Sequence, residues 1–288
     1  MVHRPVLLDE VMEMLDIKED GIYVDATIGG GGHAEAILSR LSERGTLIGL
    51  DRDEEALKRV AQRIKDRRLR LLHLNFADMD RIPDLTQVKV NGVLMDLGVS
   101  MYQLKDEERG FSFYSDAPLD MRMDRRSTLT AWEIVNTWSR ERIEEVLRGY
   151  ADEKRAGAIA RRIVQARQKR RINTCRELAD LVMSVYRRRG RIHPATRTFQ
   201  ALRIAVNREI EALQDGLKAA VEILARGGRL CVISYHSAED RVVKFFLRDA
   251  ERQGILRRIN KKPITPSERE KRENPSSRSA KLRAGERI

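Results

Sequence analysis

Two cysteines in 288 residues, Cys175 and Cys231, stand far apart, with no Cys-x-x-Cys pair and no histidine cluster beside them. That scarcity argues against a disulfide framework or a zinc site, and it fits a reducing cytoplasm. Both read as small buried apolar residues. No apolar run reaches 18 residues, so no membrane span is expected. The opening MVHRPVLLDEVMEML has acids where a secretory leader needs an apolar stretch behind a basic one. Aromatic residues are 5% of the chain, too few for an evident single-strand stacking platform. No internal repeat is visible.

Charge is abundant and unevenly placed. Residues 1–153 hold 22 Lys/Arg against 30 Asp/Glu, whereas residues 154–210 hold 16 against 3. Residues 211–250 balance at 6 and 6, and residues 251–288 hold 12 against 5. A basic run is usually a solvated face. Two basic blocks beside an acidic half favour a polyanionic partner, most simply nucleic acid.

The first hundred residues alternate between short apolar runs and helical patterns. GIYVDATI, TLIGLD, LRLLHLNF and NGVLMDLGVS read as strands, with HAEAILSRL and DEEALKRVAQRI as helices between them. Such alternation predicts a parallel sheet covered by helices on both faces. From about Lys105 to His193 the text is helical, and RGFSFYSDAPLDMRMD reads as an ordered loop. FQALRIAVNREIEALQDGLKAAVEIL then reads as one long amphipathic helix, GGRLCVISYH as a fifth strand and SAEDRVVKFFLRDA as another helix. Ser237 and Asp240 suggest a capping box at the start of that last helix. The end, from KKPITPSERE onward, reads as loop-rich and partly mobile. The expected organisation is a sheet domain over residues 1–104 and 194–288, interrupted by a helical domain over residues 105–193.

Four glycines, Gly29 to Gly32, fall between the first strand and its helix. Glycine lets a ligand approach the main chain, and a helix N-terminus favours an anionic group. No Lys-Ser/Thr follows, so this is not a P-loop. Asp51 ends the next strand 22 residues after Gly29, where an acid accepts ribose hydroxyls. The pattern suits an adenosine-containing cofactor. Asp25, just ahead of the glycines, favours S-adenosylmethionine over NAD, because a cationic amino group needs an acceptor there. A nicotinamide-dependent oxidoreductase would need a second half-site; a non-catalytic RNA-binding assembly factor would not need this loop.

HRPVLLDEV, DATIGGGGHAEAIL, MDLGVS, ERGFSFYSDAPLDMRMD, HPATRTFQALRIAVNRE, GGRLCVISYHSAEDRVVK and NPSSRSAKLR, in this order, resemble the bacterial ribosomal RNA small-subunit methyltransferase H family. The resemblance covers nearly the whole chain. It implies an α/β fold, a Rossmann-like class I S-adenosylmethionine-dependent methyltransferase sheet with an inserted helical domain that recognises rRNA. It also implies methylation of the exocyclic N4 of one cytidine in 16S rRNA of the small ribosomal subunit. Cofactor contacts carried over by the resemblance are Gly31, Gly32, His33, Asp51, Phe76, Asp96 and Gln103. The chain departs from the family just before Gln103, with Met101 and Tyr102 in place of the usual Ser-Pro. A homodimer is compatible with the sequence.

The amino lone pair of cytosine is delocalised into the ring, so catalysis needs acceptors for its N–H bonds. Asp96 and the Leu97 carbonyl, at the end of the fourth strand, are the catalytic candidates; the competing reading, the simpler one for Asp96, is that it only holds the cofactor. Substrate candidates are Phe111, Phe113 and Tyr114, whose rings suit stacking on a flipped base or pinning the insertion in place. His236 suits substrate contact, or simply precedes a helix capped by its neighbour Ser237. Arg161, Arg162, Arg170 and Arg171, with the arginines of the tail, are candidates for rRNA phosphates.

Overall fold

The computed structural model describes residues 5–186 and 193–288. His3 and Arg4 of HRPVLLDEV, and residues 187–192 within the expected helical insertion, lie outside that range. In chain order the strands are β1 (Ile22–Asp25), β2 (Thr46–Asp51), β3 (Leu69–His73), β4 (Val90–Asp96), β5 (Leu224–Ser234), β6 (Leu256–Arg258) and β7 (Lys281–Arg287). The helices are α1 (Leu8–Leu15), α2 (Gly32–Leu38), α3 (Glu54–Arg63), α4 (Pro83–Gln87), α5 (Met101–Lys105), α6 (Ala131–Thr137) and α7 (Arg140–Ala151). They continue with α8 (Ala156–Lys169), α9 (Cys175–Ser184), α10 (Ala195–Asn207), α11 (Glu209–Ile223), α12 (Ser237–Arg252) and α13 (Glu268–Glu273). None of the described helices is long and apolar enough to cross a membrane.

The chain forms two compact units. Residues up to Gly98 join Ile210–Ile288, and Val99–Glu209 form the other. In the first, seven strands run in the order β3-β2-β1-β4-β5-β7-β6. The first five are parallel and β7 is antiparallel to both neighbours. Strand order reverses at β1, which pairs with β2 on one side and β4 on the other. In open sheets that reversal leaves a crevice at the strands' C-terminal ends. One apolar layer includes Val24, Ile48, Met95, Leu217 and Val232; another includes Leu7, Ile37, Leu47, Leu94 and Ile233. Successive strand residues such as Leu94 and Met95 belong to different layers, as the pleat requires.

The tail differs from its sequence reading. It is a strand wedged between β5 and β6, with Cys231 opposite Ala284. Leu282 and Ala284 fill the core, while Arg283 donates to Asp240 Oδ1 at 2.7 Å. Glu270 of α13 accepts the Leu7 N–H at 2.8 Å, fixing the start of α1. The single long helix expected over residues 199–224 is two helices. Arg208 sits between them with φ 47°, a left-handed conformation that ends α10.

In the second unit α6–α10 enclose a separate core of Leu119, Met121, Ile134, Ile143, Ile159, Leu178 and Leu202 among others. It begins at Val99, several residues before the expected Lys105, and takes in α10, which the sequence reading gave to the sheet domain. The buried Asn136 amide bridges the Ile172 backbone, accepting its N–H at 3.0 Å and donating to its carbonyl at 2.8 Å. Both cysteines are buried, and burial pushes each thiol up to about 12, which rules out a thiolate nucleophile at neutral pH.

Gly216 in α11 faces the ring that follows β3. A Cβ there would stand 2.4 Å from Phe76 Cδ2 and 3.3 Å from Met95 Cε. Glycine to alanine in an open helix gains about 1 kcal/mol. Here overpacking reverses the sign, and Gly216→Ala is expected to destabilise the protein by about 1–3 kcal/mol in denaturant titration. An unchanged or raised midpoint would show that Phe76 yields freely.

Candidate cofactor and catalytic site

Three aspartates end three adjacent strands at one edge of the sheet: Asp25 on β1, Asp51 on β2 and Asp96 on β4. Parallel register makes this possible, since Asp25 lies level with Gly49 of β2 and Leu94 of β4. Asp25 is 1% exposed and accepts the Thr27 N–H at 3.2 Å. Burial, with Asp96 and Asp51 nearby, pushes its carboxyl up to about 7. No cation pairs with it among the described residues.

Asp51 organises the glycine loop. Its Oδ2 accepts the Gly29 N–H at 3.0 Å and its Oδ1 accepts the Asp53 N–H at 2.9 Å. Burial raises this carboxyl, and the two backbone donors oppose the shift. Each oxygen keeps a lone pair for a further donor. Asp53 caps α3 by accepting the Glu55 N–H at 3.2 Å.

Three of the four glycines do different jobs. Gly31 caps α2 at φ 79°, and a Cβ there would stand 3.0 Å from Ile64 Cδ1 and 3.2 Å from Val60 Cγ2. A Cβ on Gly32 would lie 2.4 Å from Pro5 Cγ. These two are glycines because protein packs against them. At Gly29 a Cβ would meet only the Thr27 carbonyl at 3.7 Å, so open main chain lies there instead.

Asp96 is held from several directions. Its N–H donates to Thr27 Oγ1 at 2.6 Å, and Tyr235 donates its hydroxyl to Oδ1 at 2.7 Å. Burial and Asp96 itself push the Tyr235 hydroxyl well above its ordinary value, so it remains a donor. His33 is 6% exposed; its Nε2 donates to the Val6 carbonyl at 3.0 Å and its Nδ1 faces Asp96 Oδ2 at 3.7 Å. Sequence reading missed Tyr235 and Thr27. A tyrosine at the end of β5 is visible in SYH, but only the strand order β1-β4-β5 shows that it lies beside Asp96. Phe76 follows β3, packed in the core at the start of a short turn capped by Asn75. The first unit thus brings together Gly31, Gly32, His33, Asp51 and Asp96 along neighbouring strand ends.

Gln103 belongs to the other unit, where it forms a capping box at the start of α5. Its Oε1 accepts the Ser100 N–H at 3.0 Å, and its own N–H donates to Ser100 Oγ. Met101 and Tyr102 form the first turn, so losing Ser-Pro leaves this helix start intact.

His236, not Ser237, is the N-cap of α12. Its Nδ1 accepts the Glu239 N–H at 3.3 Å, and its Nε2 lies 3.1 Å from Glu239 Oε1. Glu239 Oε2 in turn accepts the Tyr235 N–H at 2.9 Å, so the cap also holds the backbone of Tyr235. The cap runs through Nδ1 of His236, which corrects the reading of Ser237 as the cap, and Nε2 makes no hydrogen bond among the described residues.

The aromatic candidates separate. Phe111 lies in the core of the helical unit and cannot stack on a base. Phe113 stacks on His193 with centroids 4.4 Å apart and meets Phe199 edge-on. Tyr114, 67% exposed, alone presents an open ring. Among the arginines, Arg170 pairs with Glu177, Arg171 donates to the Asn136 carbonyl at 2.7 Å and Arg162 donates to Ser184 Oγ at 3.3 Å. Arg161 is exposed and has no partner among the described residues.

Against known proteins, the MraW methylase family matches residues 1–288. A Persephonella marina protein named ribosomal RNA small subunit methyltransferase H is 48% identical, covering 99% of each chain. An Acetivibrio thermocellus protein of the same name is 46% identical with the same coverage. A crystal structure of a Clostridium thermocellum protein assigned as an rRNA-methylase covers 100% of both chains at 15% identity, with a TM-score of 0.51, a likeness of fold. The family match runs from end to end and the relatives are nearly half identical throughout: the chain belongs to the MraW methylase family.

Proposed function

We propose that this methyltransferase uses S-adenosylmethionine to methylate the exocyclic N4 of one cytidine in 16S rRNA of the small ribosomal subunit. The observation that carries the reading is the strand-end trio of carboxylates beside open glycine backbone. The fit is chemical. Asp25 is buried with no counter-charge among the described residues, which suits a cationic amino group, and Asp51 keeps lone pairs for ribose hydroxyls. The names of the relatives support small-subunit rRNA as substrate.

When bound, the cofactor supplies an electrophilic methyl on a sulfonium. The chain's own residues position the nucleophile. Asp96 and the Leu97 carbonyl accept the N4–H bonds and turn the nitrogen lone pair out of conjugation. Tyr235 and Thr27 fix Asp96 for that role. No strong base is needed, because N4 becomes acidic once alkylated. Positioning of this kind supplies up to about 7–11 kcal/mol of a barrier in favourable cases. The helical unit, with Arg161 and Tyr114 exposed, delivers the RNA; Arg162 and Arg171 add cationic charge to the same unit, while Glu177 offsets Arg170.

Purified small subunits from cells lacking the enzyme, incubated with it and S-adenosylmethionine, should yield N4-methylcytidine by nucleoside mass spectrometry. A methyl on carbon 5 or on ribose would overturn the N4 assignment.

Asp51→Ala should weaken S-adenosylmethionine binding by about 1–3 kcal/mol in calorimetry, through lost charged hydrogen bonds and a released Gly29 N–H. Wild-type affinity would sink the ribose role.

Asp25 sets a pH dependence. In the free protein its carboxyl is protonated below about 7, and a bound cation requires it ionised. Binding therefore releases a proton in acid, and affinity rises with pH, by up to about tenfold per unit, until about pH 7. Calorimetry in buffers of different ionisation enthalpy should detect that proton, and Asp25→Asn should remove it. Proton release that persists in the variant would exclude Asp25.

A further inference from the structure

We propose that the outward face of α12 is a second RNA-contact surface, on the sheet unit and separate from the basic helical unit. The proposal rests on rRNA being the substrate. Glu239, Val243, Leu247 and Ala250 form the buried face of this helix. Arg241, Phe245, Arg248 and Arg252 recur at spacings of four, three and four. At 3.6 residues per turn they fall within about 60° of one another on the opposite side. Lys244 lies beside them.

Phe245 is 39% exposed, and the Arg248 guanidinium stands 4.6 Å from its ring centroid. Arg241 and Lys244 are exposed and have no ionic partner among the described residues. Arg248 and Arg252 approach only Asp249, at 3.5 and 3.7 Å, in loose surface pairs of little worth. The same unit neutralises many of its other cations. Arg70 pairs with Asp84, Arg258 with Glu251, and Lys281 and Arg283 share Asp240 on α12 itself. A helix that spends Asp240 on internal cations leaves its outer ones open.

An aromatic ring set among cations that are free or only loosely paired matches a polymer that alternates phosphates with flat bases. One phenylalanine gives too little apolar face for membrane insertion, which needs a broad hydrophobic stripe. Counting charge along the chain conceals this surface, because residues 211–250 balance at 6 and 6. On α12 itself Glu239 is buried, Asp240 and Glu251 are engaged by cations from outside the helix, and Asp249 is left beside Arg248 and Arg252. The helix starts at His236, directly after the tyrosine that holds Asp96, so this face leads away from the sheet edge that carries the candidate site.

The test is filter binding of a 16S rRNA decoding-region fragment across a salt series, with S-adenosylmethionine calorimetry on each protein. The Arg241→Glu, Lys244→Glu double variant should bind the fragment at least tenfold more weakly, with a log–log salt slope shallower by about 2. Phe245→Ala should lose about tenfold in affinity with the slope unchanged, as for a lost stack. Cofactor affinity should stay at wild type in both. Wild-type RNA affinity and slope in both variants would overturn the surface. Should the double variant lose cofactor binding, Arg241→Ala and Lys244→Ala decide the matter, each expected to reduce the slope by about 1. If the variants instead lost binding only to vesicles of anionic lipid, the face would be a membrane contact and the proposal wrong. A wild-type protein that binds no fragment would bring down the rRNA reading itself.

Discussion

The site depends on keeping a carboxyl group, Asp25, out of water at the end of the central strand, with two more aspartates ending the strands on either side. An isolated buried carboxylate is costly, and like charges nearby raise the cost. The fold tolerates this arrangement by surrounding it with backbone donors. Thr27 N–H serves Asp25, and Gly29 and Asp53 N–H serve Asp51. The loop after β1 is anchored separately, with Ala26 N–H on the Leu94 carbonyl and Ile28 N–H on the Leu50 carbonyl. Since these anchors reach both neighbouring strands, the carboxyl positions follow from the sheet and need no ligand to set them. That is the preorganisation an electrostatic site requires.

The same economy explains the glycine loop. Four side-chain-free residues suggest a cradle for something external, but half of that freedom is consumed internally. Gly31 gives α3 room to pack and takes a conformation that starts α2; Gly32 lets Pro5 close over the turn. The N-terminal segment is thereby part of the site's wall, and His33 ties it down through the Val6 carbonyl. The open backbone is at Gly29, whose N–H is already turned toward Asp51. Loop and carboxylate are therefore joined in one device through the Gly29 N–H.

Much of this was legible in the sequence where periodicity and local chemistry coincide. β1 to β5, α2 and α3 were readable from apolar alternation and first-turn acids, and DATIGGGGHAEAIL and Asp51 sit where the pattern put them. Features decided by tertiary contact were not. KLRAGER is too charged to read as a core strand until Arg283 and Lys281 are seen to meet Asp240. Residues 199–224 keep helical periodicity across Arg208, so nothing local marks the break. Phe111 and Tyr114 stand three residues apart in one loop, yet one is core and the other open, a difference only packing decides. Tyr235 acquires its role from β5 lying beside β4, which strand order alone provides.

Charge counting needs a similar correction from structure. Arg167 and Arg171 turn inward to cap α6, bonding the Val135, Trp138 and Asn136 carbonyls. Such bonds satisfy the negative end of a helix, but a guanidinium on a neutral carbonyl keeps its full charge. These two still contribute to the unit's field while part of each guanidinium is spent on the carbonyls. Arg170 and Arg176 differ, because Glu177 and Asp116 cancel them locally. The basic block thus divides into arginines that attract RNA at a distance and a smaller set, Arg161 foremost, free to touch it. Steering and grip are separate duties, and a polyanion drawn in by the first still needs contact points of the second kind to be held in register.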